Sequence, residues 1–146
     1  GAPTRDQAQG FPEVTITVRA GGEGDLMVLG SHVTAGDAEQ SAYRGRRSPA
    51  PAPSGFIVAE IDGSACGTLG WTEEDSAFRI VHVFVEPWAR NVGVGDAMMA
   101  ALLRQATVRG ARTVGASALP GDRSMKNLFE RNGLVAREIL VERNLP

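Results

Sequence analysis

The stretch Val85-Glu86-Pro87-Trp88-Ala89-Arg90-Asn91-Val92-Gly93-Val94-Gly95 decides how the chain is read. It begins where a β-branched and aromatic run, Phe78 to Val85, is stopped by Pro87, which cannot donate to a ladder. It ends where a helical pattern starts, Gly95 to Arg109, in which Ala97 to Leu103 is unbroken apolar residue or Ala and so is buried on most sides. A strand end, a glycine-containing turn and a helix N-terminus in succession present consecutive backbone N–H groups. The helix dipole adds roughly half a positive charge there, which suits a phosphate or pyrophosphate. Gly93 and Gly95 let backbone approach such a ligand without a Cβ in the way, and Arg90 brings a full charge. The P-loop spacing is absent, and the third glycine of a dinucleotide fingerprint falls on Met98. What remains is Arg-x-x-Gly-x-Gly.

Upstream, Gly55 to Ile61 and Ser64 to Trp71 are apolar-rich runs joined by Asp62-Gly63, which predicts a hairpin because both turn positions must tolerate positive φ. Thr72 to Ser76 reads as an acidic turn. Val14, Ile16 and Val18 alternate with polar residues, as in a half-buried strand. Between these lie two short predicted helices, Asp25 to Ser31 and Asp37 to Gly45, and a Pro/Arg/Ser loop from Arg44 to Ser54. Residues Gly1 to Glu13 read as a loose tail, leaving one domain over residues 14–146. Downstream, Gly110 stops the helix and Thr113 to Ala118 is a short strand of small residues. Asp122 caps a last helix with Met125, Leu128 and Phe129 on one face, Gly133 closes it, and Val135 to Val141 reads as a final strand. Strand–helix–strand from Phe78 to Ala118 requires a parallel pair with a right-handed crossover, while the rest is a meander. The expected class is α+β: a mixed, mostly antiparallel sheet with helices on both faces.

The 146 residues carry 15 Lys and Arg against 17 Asp and Glu, a net charge of −2. That balance argues against a nucleic-acid partner, which calls for a basic excess. No apolar run approaches the roughly 18 residues of a membrane span. One cysteine, Cys66, excludes an intrachain disulfide framework, and with only His32 and His82 there is little for a metal centre. No signal-peptide pattern is visible and a cytoplasmic setting is expected.

The Arg-x-x-Gly-x-Gly turn, set between a strand ending in Val-x-Pro and a buried helix, followed by a strand and a helix ending in Asn-Gly-Leu, resembles the GNAT superfamily of acyl-CoA-dependent N-acetyltransferases over Gly55 to Leu134. The resemblance implies acetyl-CoA as cosubstrate, its pyrophosphate held by Arg90, Asn91, Val92, Gly93, Val94, Gly95 and Asp96. It implies that a bulged fourth strand splays from the fifth. The pantetheine arm would then lie along Val83, Phe84 and Val85, where a backbone N–H near Phe84 or Val85 polarises the thioester carbonyl. Asp122 stands where the family usually has an Asn that bonds the pantetheine. Asn127 is a further candidate for that contact, and the Ser124 or Ser117 hydroxyl for facing the thiol. Phe129 replaces the tyrosine that often protonates the leaving thiolate, and the only tyrosine is Tyr43.

The implied reaction is direct attack of a neutral primary amine on the acetyl thioester, with no metal, the acceptor being a small molecule or a peptide. His82, mid-strand and with an ordinary pKa near neutrality, is the first candidate for the base, and Glu86 acting through water is a second. His32 and Tyr43 are candidates for acceptor contact. A catalytically weak or inactive acyl-CoA-binding domain of the same fold, acting as a sensor or interaction domain, is the alternative reading. The few residues after Gly133 leave a sheet edge that a second copy of the chain is expected to cover.

Overall fold

A computed structural model describes residues 14–45 and 50–146. The predicted tail, Gly1 to Glu13, and residues 46–49 of the Pro/Arg/Ser loop lie outside the described residues. Five strands form one sheet in sequential order: β1 (Ile16–Ala20), β2 (Gly55–Ile61), β3 (Ser64–Glu74), β4 (Ala77–Val85) and β5 (Thr113–Gly115). The first three pairings are antiparallel and β4–β5 is parallel. Among the described residues three α-helices accompany them: α1 (Leu26–Gln40), α2 (Val94–Val108) and α3 (Arg123–Arg131).

The local signals explain most of these boundaries. Asp62 and Gly63 have φ of 51° and 78°, the paired positive values of a tight hairpin turn. Helices α2 and α3 both end on a left-handed glycine. At each end the amide after that glycine reaches back five residues: Ala111 N donates to Ala106 O at 2.9 Å, and Leu134 N to Phe129 O at 3.0 Å. Asp122 Oδ1 accepts from Met125 N at 3.1 Å and starts α3.

Alternation along β3 divides the molecule. A Cβ on Gly67 would meet Met98 and Val94 of α2 at 3.0 Å, and Leu69 and Trp71 share that side, inside the main apolar core with Met99 and Leu102. Thr68 faces the other way, toward His32 of α1. The two helices therefore cover opposite faces of the sheet.

Four expectations need correction. The strand predicted from Thr113 to Ala118 ends at Gly115, where its pairing with β4 stops. The two short helices predicted at Asp25–Ser31 and Asp37–Gly45 are one helix, α1, entered through a 3₁₀ turn at Glu23–Asp25. Gly30 and Gly36 depress the local helix signal, yet a Cβ on Gly36 would lie 3.6 Å from Phe84, so the helix is held by its close approach to the sheet. The predicted acidic turn from Thr72 is shorter, because β3 runs on to Glu74 and turns at Asp75, with φ 52°. Val135 to Val141 is not a strand: it is irregular and exposed, with Ile139, Leu140 and Val141 each more than 80% accessible. An alternating sequence becomes a strand only when a ladder partner is within reach.

Candidate active site

The site is made by a separation of strands. Parallel pairing of β4 with β5 covers Ala77↔Thr113, Phe78↔Val114 and Arg79↔Gly115, and stops there. β4 continues to Val85 with only β3 beside it. One residue after the pairing ends, Trp71 opposes Ile80 while Gly70 opposes His82, so Val81 is an extra residue in β4, a bulge. The bulge turns the strand just where it leaves its neighbour. A cleft of about 670 Å³ opens at this point, walled by α1 (Gly36, Asp37), by β4 (His82, Val83), and by Ser117 and Phe129 beyond β5.

The free edge of β4 has a defined polarity. Glu86 N donates to Cys66 O at 2.8 Å, which continues the β3–β4 ladder; by antiparallel alternation His82 and Phe84 turn their backbone groups to β3, while Val83 and Val85 turn theirs outward. The Val85 carbonyl confirms the direction, accepting from Arg90 Nε at 2.8 Å. Outward amides are therefore those of Val83 and Val85, and that of Phe84 belongs to the ladder.

At the end of β4 a 3₁₀ turn, Pro87–Ala89, leads into the glycine turn. Asn91 has φ 66° and Gly93, the N-cap of α2, has φ 99°, so two left-handed residues fold the chain back beneath the helix start. Ala97 N donates to Gly93 O at 2.9 Å as the first helical bond, and the amides ahead of it in the first turn have no acceptor within the helix. The two glycines have separate reasons. Gly93 is needed for its positive φ, whereas a Cβ on Gly95 would press on Leu128 of α3 at 3.1 Å, so Gly95 serves helix packing.

The charged side chains of this turn are engaged within the protein. Arg90 makes a two-pronged bond to Glu39 of α1, at 2.8 and 2.9 Å, and lies over the Phe84 ring at 5.4 Å; the carboxylate raises its pKa. Asp96 accepts from Asn132 Nδ2 at 2.9 Å and pairs with Arg131 at 3.3 Å. What the turn presents outward is its backbone: Asn91, Val92 and Gly93 are exposed.

The remaining candidates fall in four places. His82, Ser117 and Phe129 line the same cleft, and Ser117 Oγ accepts from Arg79 at 2.7 Å. Asp122 is buried as the cap of α3, while Ser124 and Asn127 are exposed on that helix. Glu86 is not in the cleft. It lies in a separate recess of about 240 Å³ with Met27, Ser31 and Ala65, its carboxylate 3.0 Å from His32 Nε2. Tyr43, just beyond α1, lies near the turn before α3, where a Cβ on Gly121 would sit 3.7 Å from its ring.

Burial and the adjacent His32 push the His82 pKa down to about 4, so the ring is neutral near pH 7. Sequence reasoning did not single out Thr68 at all. It is fully buried, and its hydroxyl lies 2.7 Å from His82 Nε2 and 2.9 Å from His32 Nδ1. A lone Thr in a strand carries no signal of that kind. Among the described residues no cluster of three or more His, Cys, Asp or Glu is arranged to hold a metal ion, and no helix is long and apolar enough to cross a membrane.

The sequence profile of the acetyltransferase (GNAT) family matches residues 30–134. The chain belongs to that family. Its class of activity is acetyl-CoA-dependent N-acetyl transfer. Solved structures share the fold of this acetyltransferase at low identity. The aminoglycoside N-acetyltransferase AAC(6')-Iy in complex with CoA is 16% identical, covers 92% of this chain and 97% of its own, and superposes with a TM-score of 0.68. The ribosomal-protein-alanine N-acetyltransferase from Brucella melitensis biovar Abortus 2308 is 14% identical over 90% of this chain and 99% of its own, with a TM-score of 0.71. A possible acetyltransferase from Clostridium difficile 630 is 10% identical over 90% and 97%, with a TM-score of 0.70. No curated protein matches by sequence.

Proposed function

We propose that this acetyltransferase moves the acetyl group of acetyl-CoA directly to a primary amine, both substrates being bound together at the gap between β4 and β5. The observation that carries this reading is the parting of the strands after Arg79↔Gly115, which leaves a cleft at the bared edge of β4. The pyrophosphate sits on the amides of residues 91–96, at the start of α2, with the Arg90 charge close by. The pantetheine pairs with the outward groups of Val83 and Val85, as an added strand would, and an outward amide polarises the thioester carbonyl. The amine enters from the α1 side, where Asp37 offers a negative charge to a cationic acceptor.

His82 is the base. Its ring is neutral and lines the cleft, which are the two conditions for taking a proton from the attacking nitrogen. Phe129, at the cleft wall, provides no acid. Release of free CoA from acetyl-CoA, assayed against a polyamine, an aminoglycoside and a peptide with an alanine N-terminus, tests the reading. Turnover with any of them supports it. Tight acetyl-CoA binding without turnover on any acceptor supports instead a silent acyl-CoA-binding domain, which the absent phenol at Phe129 and the Glu39-bound Arg90 favour.

The exposed segment with Ile139, Leu140 and Val141 favours a homodimer, since a second copy can cover apolar residues that the sheet of one chain leaves outside. Light scattering that reports a monomer at high concentration argues against it.

A further inference from the structure

Between the sheet and α1, four side chains form one unbroken hydrogen-bonded line that starts at the cleft. His82 Nε2 is 2.7 Å from Thr68 Oγ1, Thr68 Oγ1 is 2.9 Å from His32 Nδ1, and His32 Nε2 is 3.0 Å from Glu86 Oε1. One end lines the cleft; the other lines the recess behind α1. The middle is sealed: Thr68 is fully buried and His32 is 2% exposed. Glu86 is the outlet, with a third of its side chain accessible.

The chemistry of the members sets the direction. A carboxylate only accepts, so His32 Nε2 carries the hydrogen and Nδ1 is its lone-pair atom. Thr68 then donates to His32 Nδ1 and accepts from His82 Nε2–H. His82 is left with its Nδ1 lone pair, in a ring that borders the cleft. Every donor faces an acceptor in one consistent sense, from cleft to recess.

We infer that His82, Thr68, His32 and Glu86 are a proton relay along the α1 face of the sheet, taking the acceptor ammonium proton out of the cleft and returning one to the departing thiolate. The inference rests on the reading of His82 as the base. In the forward sense His82 Nδ1 takes the ammonium proton. Its Nε2 proton passes to Thr68 Oγ1, the Thr68 hydroxyl proton to His32 Nδ1, and the His32 Nε2 proton to the Glu86 carboxylate. The amine is then neutral and attacks the thioester carbon. When the C–S bond breaks, the same chain runs back, so Glu86 again becomes a carboxylate, both rings regain their first tautomer and the sulfur receives a proton from His82 Nδ1. The second proton of the attacking nitrogen leaves to solvent as the amide forms. Neither ring holds a net charge in either resting state, which removes the desolvation cost that makes His82 alone a weak base. The relay also provides the acid that Phe129 cannot.

His32, Thr68 and Glu86 are positioning residues, acting through His82. The test compares His82→Gln, Thr68→Val, Thr68→Ser and Glu86→Gln in the full chain, each checked for its melting temperature and acetyl-CoA binding. Turnover is followed with acetyl-CoA and the fastest amine of the panel. Thr68→Val is expected to lower kcat by ~10-fold or more, up to the roughly 10²–10⁴-fold that general base catalysis contributes, with the KM for acetyl-CoA unchanged, while Thr68→Ser restores it. In mixtures of light and heavy water the wild-type rate is expected to bend with deuterium fraction, several protons moving together, and that of Thr68→Val to fall on a straight line. Nitrogen-15 NMR of the resting protein needs no acceptor and is expected to find both rings protonated at Nε2. Wild-type kcat and a curved response in Thr68→Val, with His82→Gln impaired, overturn the relay and leave the base in place. Wild-type kcat in His82→Gln overturns the base reading itself. His82 protonated at Nδ1 in the resting protein overturns the relay whatever the kinetics.

Discussion

Along β3, Gly67, Leu69 and Trp71 point one way and Thr68 the other, and the two directions hold different kinds of matter. Toward α2 the filling is apolar but for the indole N–H of Trp71, which is buried without a hydrogen-bond partner; Leu69, Met98, Met99 and Leu102 are fully buried. Toward α1, among Leu29, Val58 and Phe84, the sheet buries the Thr68 hydroxyl and the His32 imidazole and half-buries that of His82, and each has partners. Residues one position apart thus serve stability on one side and polar chemistry on the other. A strand can do this because successive side chains alternate faces, so a polar network on one face does not interrupt packing on the other.

The sharpest way to break the comparison is to damage the packed side alone. Leu69→Ala removes a fully buried side chain from the main core and is expected to cost about 2–5 kcal/mol, read by denaturant unfolding. While the protein remains folded, its pH profile of turnover should keep the wild-type shape.

The polar side should answer to acid. Burial holds the His82 pKa at about 4 in the folded chain against 6.5 when unfolded, so between those values the unfolded state binds more protons. Stability from this group is complete above pH 6.5, falls as pH drops toward 4 and then levels, a change of about 3 kcal/mol. His82→Gln should lack that contribution, visible as a shallower loss of melting temperature between pH 7 and 4.

The turn before α2 belongs to neither side and should show a smaller effect. Gly93→Ala forces a Cβ into φ 99°, expected to cost about 1–2 kcal/mol and to weaken acetyl-CoA binding by calorimetry, because the same turn presents the amides. The least change in stability is expected from Glu39→Ala. Its bond to Arg90 joins two half-exposed side chains, so its loss should move stability by less than about 1 kcal/mol. Acetyl-CoA affinity should nevertheless rise, since the freed guanidinium can turn to the pyrophosphate; unchanged affinity would assign Arg90 to bracing α1 alone.

Short-range signals were legible wherever backbone chemistry is local. Asp62-Gly63, Gly93, Gly110, Asp122 and Gly133 all act within a few residues of themselves, and each stands where its turn or cap requires it. Signals that need a distant partner were misleading. Val135 to Val141 has the alternation of a strand but pairs with nothing in the sheet. Gly30 and Gly36 hide a continuous helix that contact with the sheet sustains. Gly95 was read as making room for a ligand, and it also makes room for Leu128, thirty-odd positions further on.

The order of residues alone determined the hairpin, the strand–turn–helix with its ring of amides, the glycine stops and the family, because each depends on neighbours along the chain. Tertiary structure decided where β4 leaves β5, which β4 amides face outward, and that His32, Thr68, His82 and Glu86 meet in one line. Those outcomes depend on register and on α1 crossing the sheet. Residues 32 and 86 are brought within 3.0 Å by packing, and no pattern within either segment encodes that distance.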